Sequence, residues 1–305
     1  MTTSLTHLSY FPLFWTASDG GYKGRHMRTV SLEELLEAGC HFGHQVSRQN
    51  SKAREYIFEP REGIHIIDLE KTKEGLEDAA KFVKDVAKKN GTLLVLGTKR
   101  QAQSVLEEER KRLHAENDGV YFVTKRWIGG TLTNFSEVAK NFKKLKNLTE
   151  KLQDPKEKAK YTKKEVSDWE KTRVKLEGFY GGIADMPGVP DAIFIIDTHI
   201  EDVAAHEALR AGIPTVGITD TNADPTIISY PIPANDDAVG SLQLIIKYIF
   251  DAWIEGRKSK GEGESVKGKE KEVKEEKKDE KKAEEKVVKK QEAKKTVEKK
   301  TKKTV

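Results

Sequence analysis

The chain has 305 residues, 36% of them hydrophobic and 34% charged, with a formal net charge of +5 at pH 7. That length suits one large domain or two smaller ones plus a tail. The excess positive charge is local: Gly256 to Val305 carries 20 Lys/Arg against 12 Asp/Glu, whereas the first 255 residues carry 35 against 38, a net of −3. Overall basicity therefore does not argue for a polyanion-binding body, and any such argument rests on local patches. A single cysteine, Cys40, excludes an intramolecular disulfide and suits a reducing cytosol. No apolar run reaches the roughly 18 residues of a membrane span. The stretch Leu8–Trp15 lacks a preceding basic region and contains Pro12, unlike a secretory signal.

Residues 1–27 are expected to form an unstructured extension, with Met27 standing where translation would usually start. Ser31-Leu32-Glu33-Glu34 is a capping-box pattern, opening a short helix that ends at Gly39. Ile64-His65-Ile66-Ile67 reads as a strand. Leu76, Ala79, Ala80, Phe82, Val83, Val86 and Ala87 recur at helical spacing up to Asn90-Gly91. Leu93–Leu96 reads as a fully buried strand, Ala102–Leu113 as a helix, and Val120–Val123 as a further strand. After an interruption the alternation resumes: strand Ala192–Ile196, helix Val203–Ala211 stopped by Gly212, strand Thr215–Thr219 and helix Asp236–Ile254. Continuous apolar strands alternating with helices imply a mostly parallel, doubly wound sheet covered on both faces, an α/β sandwich of the flavodoxin or Rossmann type.

The interruption is a different kind of sequence. Val138, Phe142, Leu145, Leu148 and Leu152 predict one amphipathic helix, broken at Asp154-Pro155; Thr162-Lys163-Lys164-Glu165 caps a second, with Val166, Trp169, Leu176 and Phe179 on one side. Together they predict an inserted antiparallel coiled-coil hairpin over residues 134–177, locally basic with 13 Lys/Arg against 8 Asp/Glu. The sandwich is then built from residues 28–133 and 178–255. Residues 256–305, rich in Lys and Glu and free of aromatics, are expected as a disordered tail, either a solubilising one or a loose tether for RNA or protein.

Three groups of residues carry candidate chemistry. Gly97-Thr98-Lys99-Arg100 resembles a phosphate loop without the full P-loop pattern. Gly97 suits a tight turn and Thr98 a helix cap, so that Lys99 and Arg100 stand beside exposed amides where an anion can dock. An ordinary capped helix with solvated charges is the other reading. The segment Lys125-Arg126-Trp127-Ile128-Gly129-Gly130-Thr131-Leu132-Thr133-Asn134 sets two cations before an aromatic ring and polar groups after two glycines. Such residues can neutralise phosphates, stack on a base and reach sugar hydroxyls; alternatively Trp127 is core at the hinge of the hairpin. Finally, His41-Phe42-Gly43-His44 accompanies Asp197, His199, Asp220, Asp224, Asp236 and Asp237. Asp197 and Asp220 each follow an apolar strand, so both are expected at one sheet edge, where with His44 they can hold a divalent metal. A metal-dependent phosphohydrolase would use the same set, whereas such carboxylates also serve as helix caps or lysine partners. The missing glycine-rich turn at Asp68-Leu69-Glu70-Lys71 speaks against a nucleotide enzyme.

From Ser31 to about Arg257 the chain resembles the bacterial small-subunit ribosomal protein number two family. The shared words are Ala38-Gly39-Cys40-His41-Phe42-Gly43-His44-Gln45, Ile64-His65-Ile66-Ile67-Asp68-Leu69-Glu70-Lys71-Thr72, Gly97-Thr98-Lys99-Arg100, Arg126–Asn134, Pro190-Asp191-Ala192, Asp220-Thr221-Asn222-Ala223-Asp224-Pro225 and Asn235-Asp236-Asp237-Ala238. Ser51 and Ala234 depart from it, standing where the family commonly has proline and glycine. The resemblance implies a sandwich with a protruding coiled-coil hairpin, placed between head and body of the small subunit, without catalysis. It implies binding to small-subunit ribosomal RNA, support for docking of small-subunit protein number one, contacts with neighbouring small-subunit proteins, a cytoplasmic ribosome-bound location and no homo-oligomer. Carried over by matching words, the RNA-facing residues are Arg48, Lys52, Lys99, Arg100, Lys125, Arg126, Trp127 and Asn134. No cofactor is required; one structural divalent metal, zinc or magnesium, at His44, Asp197 and Asp220 is compatible with it.

Overall fold

The computed structural model describes residues 28–113 and 119–259; the expected extension over 1–27 and the tail beyond 259 lie outside the described residues. Helix α1 (Leu32–Glu37) starts as the sequence predicts, with Ser31 Oγ accepting from Glu34 N and the Glu34 carboxylate accepting from Ser31 N. Strands β1 (Phe42–Gln45), β2 (Ile57–Arg61) and β3 (Ile64–Ile67) follow, then α2 (Leu69–Lys88), capped by Asp68, and β4 (Leu93–Leu96). Next come α3 (Arg100–Leu113), β5 (Val120–Val123), α4 (Phe135–Gln153), the one-turn α5 (Pro155–Lys158) and α6 (Lys163–Tyr180). The chain then runs through β6 (Ala192–Ile195), α7 (Asp202–Ala211), β7 (Thr215–Thr219) and β8 (Tyr230–Pro233) to α8 over 239–259.

Five strands form a parallel sheet in the order β5-β4-β6-β7-β8. Because side chains alternate across a strand, β4 divides its residues between two cores. Leu93 and Val95 join α2, α3 and α8 on one face, through Leu76, Val83, Leu106, Phe250 and Trp253. Leu94 and Leu96 join α4, α6 and α7 on the other, through Phe142, Tyr180, Ala204 and Ala208. Burial of each large apolar side chain contributes about 1.5–3 kcal/mol, which is why strands with no polar residue form the centre. The chain is thus an α/β protein with a Rossmann-like sheet flanked by helices on both faces.

Four strands depart from expectation, β1 and β2 among them because no strand is predicted at either place. Ile64–Ile67 does not enter the parallel sheet; it is the middle strand of a separate antiparallel sheet, order β1-β3-β2. Glu62 and Gly63, both at positive φ (50° and 82°), make a two-residue turn that folds β3 back on β2, pairing Arg61 with Ile64. Conversely β8, with the sequence Tyr-Pro-Ile-Pro, has no counterpart among the strands expected from sequence. Its two prolines cannot donate to a ladder, and the fold places them on an edge strand that pairs only with β7.

Helices α4 and α6 pack antiparallel. Phe142 and Tyr180 meet edge-on at 5.6 Å near the sheet, while farther out Lys151 Nζ lies 5.3 Å from the Trp169 ring. Thr162 and Glu165 form the expected capping box of α6. Only the sheet-proximal parts are buried, Val138, Phe142 and Leu145 on α4 and Tyr180 on α6. Helix α8 continues through residues 256–259, where the sequence alone places the start of the tail. There Arg257 donates to Asn90 Oδ1 and Gly91 O at 2.9 and 2.8 Å and lies over the Trp253 ring.

Candidate functional site

The loops that follow the five parallel strands share the carboxyl edge of the sheet, the usual position for ligands in open α/β folds. Those after β4 and β5 are tied together by Gln103, whose Nε2 donates to Thr98 O at 2.8 Å and Thr124 O at 3.0 Å. This brings the Arg100 turn beside the Lys125–Arg126 turn. All three cations are exposed.

The segment that begins there is held by one carboxylate. Glu207, on the inward face of α7 and 8% exposed, accepts from Trp127 Nε1 through Oε2 at 3.0 Å. Its Oε1 accepts from Leu132 N at 2.9 Å and from Thr133 N and Oγ1, both at 3.0 Å. Burial pushes the Glu207 carboxyl upward, but the donors from Thr133, Leu132 and Trp127 outweigh it and hold the group below the usual carboxylate range. Of the two readings of Trp127, the structure supports core: the ring is 8% exposed among Leu94, Val123 and Phe142. It is not placed to stack on a base. Asn134 precedes α4 but makes no side-chain cap, and its amide is exposed.

Lys99 also departs from its expected outward role. Its ammonium lies 2.7 Å from Asp237 Oδ1, 2.8 Å from Asp236 Oδ1 and 3.1 Å from Asp197 Oδ2, with the side chain 10% exposed. Burial disfavours its charge, yet the hydrogen-bonded Asp236 and Asp237 more than compensate and raise its pKa. Three carboxylates hold it away from any phosphate. Gly97 serves packing and does not take a left-handed turn: a Cβ there would lie 2.6 Å from Leu106 Cδ1 and 2.7 Å from Ile196 Cδ1. The Thr98 hydroxyl donates to Glu201.

Beyond Lys99 the acidic group closes on His44, which β1 carries to the same edge. His44 N donates to Thr221 Oγ1 at 2.9 Å, and the ring meets Asp220 Oδ2 at 3.1 Å and Asp237 Oδ2 at 3.6 Å. The hydrogen bond to Asp220 raises the His44 pKa despite partial burial. Burial, then the neighbouring Asp197 and Asp220 charges, push Asp236 up to about 7 against the pull of Lys99. One ligand atom each from His44, Asp220 and Asp236 lies within 4.8 Å of the others. An imidazole with two carboxylates suits a divalent cation such as zinc. The third member is Asp236 and not Asp197, because Asp197 Oδ1 accepts from His199 N and Ile200 N while Oδ2 faces Lys99.

The remaining expected residues lie on turns near this edge. Arg48 is exposed at the end of the turn Val46–Arg48. Lys52 is 54% exposed and pairs with Asp224 at 2.6 Å. Sequence reasoning missed Glu207. Its signal was available: a glutamate on the helix face defined by Ala204, Ala205 and Ala208, where an unpaired charge would be costly. Among the described residues no helix is long and apolar enough to cross a membrane.

The family profile described as ribosomal protein S2 matches residues 35–256, from α1 to the last described turns of α8. That span takes in both sheets, the helical hairpin and every residue of the edge described above. It lends nothing to a phosphohydrolase, whose carboxylates are here turned onto Lys99, His44 and backbone amides. The chain belongs to the ribosomal protein S2 family, structural proteins of the small ribosomal subunit.

Proposed function

We propose that the chain binds small-subunit ribosomal RNA without turning anything over, gripping phosphates with Arg48, Arg100, Lys125 and Arg126 and a sugar or base edge with Asn134. The observation that carries this reading is the rigid presentation of Lys125 and Arg126. They are exposed immediately before a tryptophan fixed in the core, at the edge where Arg100 also emerges. Lys52 contributes through the half of its surface left open by Asp224. Phosphate neutralisation gives affinity and the loops set orientation. The α4–α6 pair acts as a coiled-coil arm whose basic outer part meets RNA, and the bound protein supports docking of small-subunit protein number one in the cytoplasm. His44, Asp220 and Asp236 would hold a structural divalent cation, which would screen the mutual repulsion of the two carboxylates.

Sedimentation of a cell lysate through sucrose tests the reading. The protein is expected to run with small subunits and whole ribosomes, and Lys125→Ala/Arg126→Ala to be washed off at lower salt than the unaltered chain. A protein found only at the top of the gradient contradicts it. Metal content is read separately, by elemental analysis of the purified chain with and without His44→Ala.

A further inference from the structure

We propose that Glu207 is a positioning residue for RNA binding: its carboxylate fixes both ends of the Lys125–Asn134 loop and so presets the cations and the amide that face the nucleic acid. The inference rests on the reading given under Proposed function.

The placement of the contacts argues for it. At one end the carboxylate takes the Trp127 indole N–H, directly after Arg126; at the other it takes the Thr133 amide and hydroxyl, directly before Asn134. The loop's RNA-facing groups are therefore one or two residues from a Glu207 contact. Between the ends Thr131 and Leu132 are buried and Ile128 packs against the core, while the two glycines stay open. A Cβ at Gly129 would meet nothing within 4 Å, Gly130 sits at φ +91°, and the internal bonds are Thr131 N and Oγ1 to Ile128 O and Asn134 N to Gly130 O.

The chemistry of the carboxylate points the same way. Its four donors are neutral, and hydrogen bonds to an ionised acceptor are about twice as strong as neutral ones. No cation of the loop is consumed in the contact, so Lys125 and Arg126 stay exposed. An apolar residue beside Ala204 and Ala208 would fill the same core position, but would leave two backbone amides, an indole and a hydroxyl to find other partners. A loop held in its bound shape loses less freedom on association, which is where a clamp of this kind adds affinity.

The test uses the full chain and a transcript of small-subunit ribosomal RNA, with affinity measured by filter binding across a salt series. Glu207→Gln removes a negative charge, so charge alone predicts tighter binding; the clamp predicts affinity about 10-fold weaker. It also predicts a log K against log salt slope shallower by about 1.5, the loss of two phosphate contacts. Lys125→Ala/Arg126→Ala is expected to weaken binding similarly, and adding Glu207→Gln to that background to weaken it further only by the smaller share that Asn134 carries, with no further change in the salt slope. If Glu207→Gln binds as well as the unaltered chain while the Lys125/Arg126 variant is weaker, the inference is overturned and the RNA-binding reading stands. An unaffected Lys125/Arg126 variant overturns both. Should circular dichroism show Glu207→Gln unfolded, Trp127→Phe and Thr133→Val each take one donor from the same carboxylate. Weaker RNA binding by folded forms of these supports the inference, and unchanged binding overturns it.

Discussion

At Lys99 one ammonium is shared by three carboxylates, whereas at Glu207 one carboxylate is shared by four neutral donors. Both side chains are largely buried at the same edge of the sheet. The first leaves a surplus of negative charge, since Asp197, Asp236 and Asp237 face one lysine while Asp220 turns to His44. That region repels phosphate and suits a cation. The second leaves its neighbouring cations untouched, so Lys125, Arg126 and Arg100 remain open to a polyanion. A body with a net charge of −3 can in this way carry a phosphate-binding flank beside an acidic centre, because the sign of a patch depends on which charges are already satisfied.

The comparison is broken most severely at the lysine. Lys99→Met removes the one cation facing three carboxylates and is expected to destabilise the fold by about 3 kcal/mol, as breaking a buried ion pair does. Urea denaturation checks this, and a loss under about 1 kcal/mol, the range of an exposed pair, would mean that solvent or another cation takes over. At the other region, Trp127→Phe keeps most of the ring packing and deletes one donor to Glu207, for a loss of about 1–1.5 kcal/mol in the same assay.

A pH series separates the two further. The Glu207 carboxyl is held below its ordinary pKa, so its stabilisation is fully present above the unfolded value of about 4.3. It is lost as pH falls through the lower folded value. Glu207→Gln should therefore flatten the acid limb of the stability curve relative to the unaltered chain; parallel limbs would show that the carboxylate does not sense the fold. The smallest effect belongs to Lys52→Ala, whose half-exposed pair with Asp224 is worth less than about 1 kcal/mol. A larger loss would place that turn among the buried elements.

The centre of the fold was legible because burial on both faces leaves an unmistakable trace: Leu93–Leu96 and Ala192–Ile195 carry no polar residue at all. Capping chemistry was legible too, at Ser31 and Thr162, since it is local. Features that depend on a distant partner were not. No strand is predicted at β8, because its two prolines fit a ladder only on an edge strand with one neighbour. The Glu62-Gly63 turn lacks the usual asparagine or aspartate, so the sequence shows β3 as a strand but not its hairpin with β2. Lys99 looked outward in sequence because its partners Asp236 and Asp237 lie more than 130 residues away. The sequence leaves both readings of Trp127 open, because Glu207, which fixes the indole, lies 80 residues away on α7.

The central claim, that ribosomal RNA lies against the loop after β5, can be read at a single position. Gly129 is exposed, a Cβ there would meet nothing within 4 Å, and the native Cys40 is buried, so Gly129→Cys offers the reactive thiol. An iron chelate tethered there, in small subunits assembled with the full chain, generates hydroxyl radicals that cut nearby RNA. The account predicts strong, localised cleavage of the small-subunit RNA from residue 129. Absence of cleavage from a subunit that has incorporated the labelled protein would contradict it.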